Sequence, residues 1–229
     1  MSETESTTTS VRRPQLKERR VVIIGKFGVG KTSLLKALLG EVIGGYTGWR
    51  DGNGNCNDTH YFVDFFLKLF DTKGLRVNLK HDWPILVKLV QDLMADTSKI
   101  DCVFLVLSSN RFSPAEESIL RMIREMTSKE FQAAIQIVIT HCPDRRINEE
   151  FKSDIQENLS FLASPSENIM DRVHFVDLIH PNSFEEGSQD LEDEKRKWAV
   201  AQQKMHQVML KADHQVPVSK ILSQTQLQQ

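Results

Sequence analysis

Gly25-Lys26-Phe27-Gly28-Val29-Gly30-Lys31-Thr32 fits G-x-x-x-x-G-K-[ST], the loop that cradles nucleotide phosphates. Its flanks agree. Arg20-Val21-Val22-Ile23-Ile24 reads as a buried strand running into the loop. Thr32-Ser33-Leu34-Leu35-Lys36-Ala37-Leu38-Leu39 reads as the helix leaving it, with Gly40 as a stop. Glycines at Gly25, Gly28 and Gly30 let backbone N–H groups turn toward an anion, and the helix adds its positive end. The stretch from Gly25 to Ser33, with Lys26, Phe27 and Val29 between the glycines, is therefore the candidate phosphate site. Lys31 is expected to reach the β- and γ-phosphates, and the Thr32 hydroxyl to ligate Mg²⁺.

Downstream, apolar runs alternate with helical spacing. Residues 62–70 read as a strand, and residues 82–93 as a helix with Ile85, Leu86, Leu89, Val90 and Leu93 on one face. Cys102-Val103-Phe104-Leu105-Val106-Leu107 is the composition of a fully buried strand. Ser113, Pro114 and Glu116 form a helix-start signature, and Ile119, Leu120, Ile123 and Met126 supply that helix's buried stripe. Ile135 to Ile139 is another central strand, 148–162 a helix and 173–178 a last strand. Strands alternating with helices predict an α/β fold of three layers, a P-loop nucleotide-binding domain with a mostly parallel central sheet and a C-terminal helix. Ligand then binds at the carboxyl ends of the strands.

The chain divides into an arm at 1–18, expected to be disordered, a nucleotide-binding domain at 19–182, and a helical extension with a frayed tail at 183–229. In the extension, Leu191, Glu194, Trp198, Ala201, Met205, Val208 and Ala212 make a narrow seam on a polar helix. Two readings stay open: a helix packed on the domain, or a docking face for a protein partner. Residues 44–57 are polar and rich in Gly and Asn, and read as a mobile switch segment.

Asp71-Thr72-Lys73-Gly74 closes a strand downstream of the phosphate loop and fits D-x-x-G of the GTPases. Asp71 would hold Mg²⁺ through water, and the Gly74 N–H would feel the γ-phosphate. A threonine between the two motifs should close over the metal, and Thr47 and Thr59 compete for that role. Thr140-His141-Cys142-Pro143-Asp144 follows a central strand, where GTPases carry N-K-x-D or T-K-x-D. Asp144 is the expected base reader, because a carboxylate accepts the N–H groups of guanine's edge. His141 is either a ring beside the base or a loop histidine without a role. GTP or GDP with Mg²⁺ is the expected cofactor set.

With these motifs the chain resembles the immunity-associated (GIMAP-like), AIG-type GTPases, related to septins and chloroplast import receptors. The resemblance spans roughly residues 20–178. Its more specific part is Arg111-Phe112-Ser113-Pro114-Ala115-Glu116-Glu117, similar to the family's R-[FY]-[ST]-x-E-[ED] box with one extra residue. Three departures mark a divergent member: Lys73 in place of Pro, the His141-Cys142 pair in the base motif, and a last strand that reaches Asn182 late. Leu75 stands where Ras-like enzymes carry the glutamine that orients water. The resemblance implies pairing across nucleotide faces, as a homodimer or oligomer, with an arginine serving the neighbouring subunit. Arg111 is the first candidate, ahead of Arg50 and Arg76. Three function classes follow: a GTPase controlling self-association, an inactive nucleotide-gated scaffold, and an ATPase or phosphotransferase.

Of 229 residues, 40% are hydrophobic and 26% charged, which is globular composition. A net charge of −2 gives no global field for nucleic acid. Cys56, Cys102 and Cys142 are scattered and odd in number, and no signal peptide or membrane-length apolar run is evident. The expectation is a cytoplasmic chain with reduced thiols.

Overall fold

The computed structural model describes residues 17–39, 56–61, 65–71, 79–109, 112–177, 188–212 and 214–222. The chain runs through β1 (Lys17–Gly25), α1 (Lys31–Leu39), β2 (Cys56–Tyr61), β3 (Phe65–Asp71) and α2 (Leu79–Asp96). It continues through β4 (Lys99–Ile100), β5 (Cys102–Ser108), α3 (Pro114–Met126), α4 (Lys129–Ala133) and β6 (Ile135–Thr140). It ends with α5 (Glu149–Leu159), β7 (Val173–Phe175), α6 (Gln189–Lys211) and β8 (Val216–Pro217).

Six strands form one sheet in the order β2-β3-β1-β5-β6-β7. All neighbours are parallel except β2, which is antiparallel to β3. Alternation along the buried strands sorts the core into two halves. Val22, Ile24, Val103, Leu105 and Leu107 face one side, packed with Val90 and Leu93 of α2, Ile119 and Ile123 of α3, and Ile155 of α5. Val21, Ile23, Phe104 and Val106 face the other, packed with Leu34 and Leu38 of α1 and Trp198, Met205 and Met209 of α6. This is the expected three-layer α/β architecture.

The seam on α6 is covered by the chain's own domain. Trp198 is 1% exposed and Met205 fully buried, both packed in the half-core under α1. Gln202 Nε2 donates to the Leu38 carbonyl at 3.2 Å, and the His206 ring lies 2.9 Å from the same oxygen. Two α6 side chains thus meet at one carbonyl in the last turn of α1. Arg19 of β1 donates to the Leu210 carbonyl at 2.6 Å. The packed-helix alternative holds for this seam, and the docking-face alternative does not.

Four features depart from the sequence reading. Cys56 and Asn57, expected within a polar loop, begin β2. An edge strand needs no apolar face on both sides, so its polar sequence carries no strand signal. Beyond α6, residues 214–222 fold back: Val216 pairs with Ile100, and Val218 and Ile221 enter the core. The helix expected over 148–162 is α5 with Asn148 as its N-cap, then a 3₁₀ turn at Ser160–Leu162. The arm expected to be disordered at 1–18 is shorter, because Lys17 and Glu18 begin β1 and pair with Phe65 and Phe66 of β3. Residues 1–16, the tail at 223–229 and Asn182 lie outside the described residues.

Candidate nucleotide site

The phosphate loop leaves β1 at the carboxyl edge of the sheet. A Cβ at Gly25 would stand 2.4 Å from the Val106 carbonyl oxygen, so only glycine lets β1 end this close to β5. Gly30 has φ +90°, a left-handed conformation, immediately before α1. The Thr140 hydroxyl donates to the Val29 carbonyl at 2.5 Å and stands 3.0 Å from the Leu107 carbonyl. It ties the loop to the ends of β5 and β6.

Lys31 is 7% exposed, and its Nζ donates to the carbonyls of Gly25 at 3.1 Å and Lys26 at 2.9 Å. The ammonium is held inside the curve of its own loop. Thr32, next on α1, is exposed, and Ser33 is partly buried. Phe27 is 80% exposed at the crest of the loop. Lys26 Nζ reaches the Ser113 hydroxyl at 3.4 Å. A backbone cradle only glycine can make, a held ammonium and an exposed hydroxyl at a helix start suit an anionic phosphate chain and its divalent cation. Asp71 closes β3 opposite Ile23 of β1, at the same edge of the sheet. Thr59 pairs with Lys68 in the β2–β3 ladder, about 10 Å back from the Asp71 end at the usual strand rise. Thr47, Gly74, Leu75, Arg111, Arg50 and Arg76 lie outside the described residues.

The β5–α3 junction carries a structure the residue pattern shows only in part. The capping box is present, with Ser113 as N-cap and Pro114 at the helix start. The Glu116 carboxylate does more. It is 2% exposed; Oε1 accepts Ser108 N–H at 2.9 Å, and Oε2 accepts Ser113 N–H at 2.9 Å and the Ser113 hydroxyl at 2.7 Å. One carboxylate therefore clips both ends of the connection. Phe112 packs partly buried against the core. Ser109 donates its N–H to the Thr140 carbonyl at 2.9 Å and its hydroxyl to the His141 carbonyl, while accepting from Arg146 at 2.9 Å. These roles of Ser109, Thr140 and Arg146 join separate elements and leave no local sequence signal.

On the base side, His141 has φ +53° and is exposed. Its Nε2 lies 3.5 Å from the position a Cβ on Gly30 would take, so the ring stands beside the phosphate loop. Cys142 is buried, and burial, with Asp177 and Asp144 nearby, pushes its thiol up. A thiol held protonated is no nucleophile. Asp144 is exposed and opens a 3₁₀ turn, Asp144–Arg146. It lines a cavity of about 550 Å³ between the ends of β6 and β7 and the flank of α6.

No described helix is long and apolar enough to cross a membrane. No curated protein matches the chain. Among solved structures, Toc33 from Arabidopsis thaliana in complex with GDP and Mg²⁺ is similar at 15% identity and TM-score 0.56, covering 89% of this chain and 88% of that one. Toc33 with Mg²⁺ and GMPPNP is similar at 16% identity and TM-score 0.57, covering 86% and 87%. A structure of the chloroplast translocon components atToc33 and psToc159, described with dimerization as important for their GTPase activity, is similar at 16% identity and TM-score 0.52, covering 82% and 84%. At these identities the likeness is one of fold. The family described as "50S ribosome-binding GTPase" matches residues 20–141, from β1 through the phosphate loop to His141, and this chain belongs to it: its fold is a P-loop GTPase domain.

Proposed function

We propose that this chain is a divergent AIG-type GTPase that binds GTP and GDP with Mg²⁺ and self-associates through its nucleotide face. The observation that carries the reading is the Lys31 ammonium held on the Gly25 and Lys26 carbonyls at the start of α1. Backbone N–H groups of the loop and Lys31 would take the phosphates. Thr32 and Asp71 would hold Mg²⁺, with Thr47 as the threonine closing over it, since β2 carries Thr59 away from that edge. Bound Mg²⁺ neutralises charge on the β- and γ-phosphate oxygens. Asp144 would read the base, with His141 beside it.

The AIG-type assignment is supported by the clip that Ser113 and Glu116 of the box build around the β5–α3 connection. Self-association is supported by the fold shared with Toc33, whose described structure links dimerization to GTPase activity. The cytoplasm fits the scattered thiols, two of which, Cys102 and Cys142, are free and buried. Leu75 in the water-orienting position favours slow hydrolysis by an isolated subunit. The same residue supports a second reading, a nucleotide-gated scaffold without useful turnover.

Lys31→Ala tests the proposal. Binding of fluorescent GTP should weaken at least about tenfold, near 1.4 kcal/mol. An affinity within twofold of wild type would remove the loop as the nucleotide site.

A further inference from the structure

We propose that Phe27 is the apolar anchor by which two copies of this chain pair, its ring passing from water into the facing copy. The inference rests on the self-association reading above and names the side chain that carries it.

Phe27 stands 80% exposed at the crest of the phosphate loop. Its ring belongs to neither half-core, so the fold makes no use of it. Among the described residues, the other large apolar side chains left in water are Met94 on α2 and Val200 and Leu210 on α6. Phe27 differs from these in its place and in its support. The loop leaves β1 at the carboxyl edge of the sheet, so its crest belongs to the nucleotide face. Both flanks of the crest are tied. On one side the Lys26 carbonyl accepts from Lys31 Nζ at 2.9 Å. On the other the Val29 carbonyl accepts from the Thr140 hydroxyl at 2.5 Å. Gly25, with no room for a Cβ beneath the Val106 carbonyl, sets the start of the loop against β5. The ring is carried on backbone that the fold already holds. A contact made there orders little that is still free, and aromatic side chains presented in this way are the usual anchors of interfaces.

The charges around the crest suit a second copy as the occupant. In a pair related by a two-fold axis the same patch meets itself, so like charges face like charges. A lysine aimed outward from the crest would oppose its twin. Lys31 is instead turned inward onto the Gly25 and Lys26 carbonyls. Lys26 is drawn sideways, its Nζ 3.4 Å from the Ser113 hydroxyl. What remains at the crest is an uncharged ring, which a second ring does not repel. Each contact is made twice, and two rings that meet gain from offset or edge-to-face packing beyond the area they bury. The Lys26 contact also makes the crest continuous with the clip of Ser113 and Glu116, the feature that supports the AIG-type assignment.

The test is sedimentation of the full chain from dilute to concentrated solution with the GTP analogue GMPPNP and Mg²⁺. Fluorescent GTP binding and thermal unfolding are measured alongside. Phe27→Ser should weaken pairing at least about tenfold, with GTP affinity within about twofold of wild type and the unfolding midpoint unchanged. Phe27→Leu keeps an apolar side chain and should hold pairing within about threefold of wild type. If Phe27→Ser pairs within about twofold of wild type, the anchor lies elsewhere and the self-association reading stands without it. If Phe27→Leu pairs as weakly as Phe27→Ser, apolar burial is not what the ring supplies, and the proposal falls. A wild-type chain that binds GTP yet stays monomeric at every concentration overturns this inference together with the self-association reading, and leaves the phosphate loop as the nucleotide site.

Discussion

Oε1 of Glu116 accepts the backbone N–H of Ser108 at 2.9 Å, joining the first turn of α3 to the last residue of β5. The same carboxylate accepts from Ser113 on its other oxygen, so a single buried group satisfies donors on both sides of the connection. The geometry uses the carboxylate as acceptor only. Glu116→Gln turns one oxygen into an amide NH₂ that faces a backbone N–H. The expected cost is about 1–3 kcal/mol of folding stability. Urea unfolding measures it. A loss under about 0.5 kcal/mol, the size of an ordinary surface change, would mean the clip contributes nothing.

Ile221 is fully buried, and its carbonyl accepts the Ser128 N–H at 2.9 Å. Val218 N–H donates to the Ser98 carbonyl at 3.0 Å. The segment after α6 is thus stitched to the starts of α4 and β4. Ile221→Ala should cost about 2–5 kcal/mol, the range for a large-to-small change in a packed core. A variant as stable as wild type would show this segment to be peripheral.

What was legible in the sequence follows from where the information sits. β1, the phosphate loop and α1 are read from adjacent residues, because glycine spacing, β-branched composition and helical period are local. The start of α3 is read the same way, since Ser113, Pro114 and Glu116 carry their signal within one turn. β2 escapes because its partner, β3, lies on one side only and its residues are polar. The fold-back of Val216 to Ile221 escapes because its apolar residues are too few for a period; distant partners, among them Ile100, Ser98 and Ser128, give them a place. The α6 seam was visible as a seam, but spacing alone could not say that α1 and β1 fill it. Of the candidate site, the glycines and Asp144 are legible, whereas the cavity that Asp144 shares with Asp177 and Val200 forms only when β7 and α6 are brought side by side.

His174 is 8% exposed, and its Nε2 lies 3.1 Å from the Gln136 side-chain oxygen. Burial, reinforced by the nearby Lys204 charge, pushes its pKa down to about 4. The unfolded chain therefore takes up a proton near pH 6.5 that the folded chain refuses until about pH 4. The stability from neutral His174 is complete above pH 6.5 and is lost as pH falls toward 4. Between pH 7 and 5, before carboxylates titrate, the loss should be about 2 kcal/mol. His206, also lowered by burial, with the Leu38 carbonyl opposing, adds in the same direction. His174→Gln should flatten much of the slope in unfolding free energy over that interval. An unchanged slope would assign the acid sensitivity elsewhere.

The last prediction concerns turnover. Leu75 cannot orient water as a glutamine does, so an isolated subunit should hydrolyse GTP slowly. Ser109 and Phe112 bracket Asn110 and Arg111 in the chain, and both are anchored: Ser109 to the Thr140 and His141 carbonyls, Phe112 against the core. The resemblance to the AIG-type family makes Arg111, which follows Asn110 in that stretch, the arginine proposed to serve a facing subunit. An arginine finger accelerates hydrolysis by about 10³–10⁵. Specific activity should then rise with protein concentration as pairs form. Arg111→Ala should remove that rise and leave GTP affinity nearly intact, because the guanidinium acts on charge that develops only in the transition state. Both proteins are assayed from dilute to concentrated solution, with fluorescent GTP binding measured alongside. Constant specific activity for wild type at a measurable rate would end the idea of activation in trans. Tight GTP binding with no hydrolysis at any concentration would instead mark the chain as a scaffold whose nucleotide is structural.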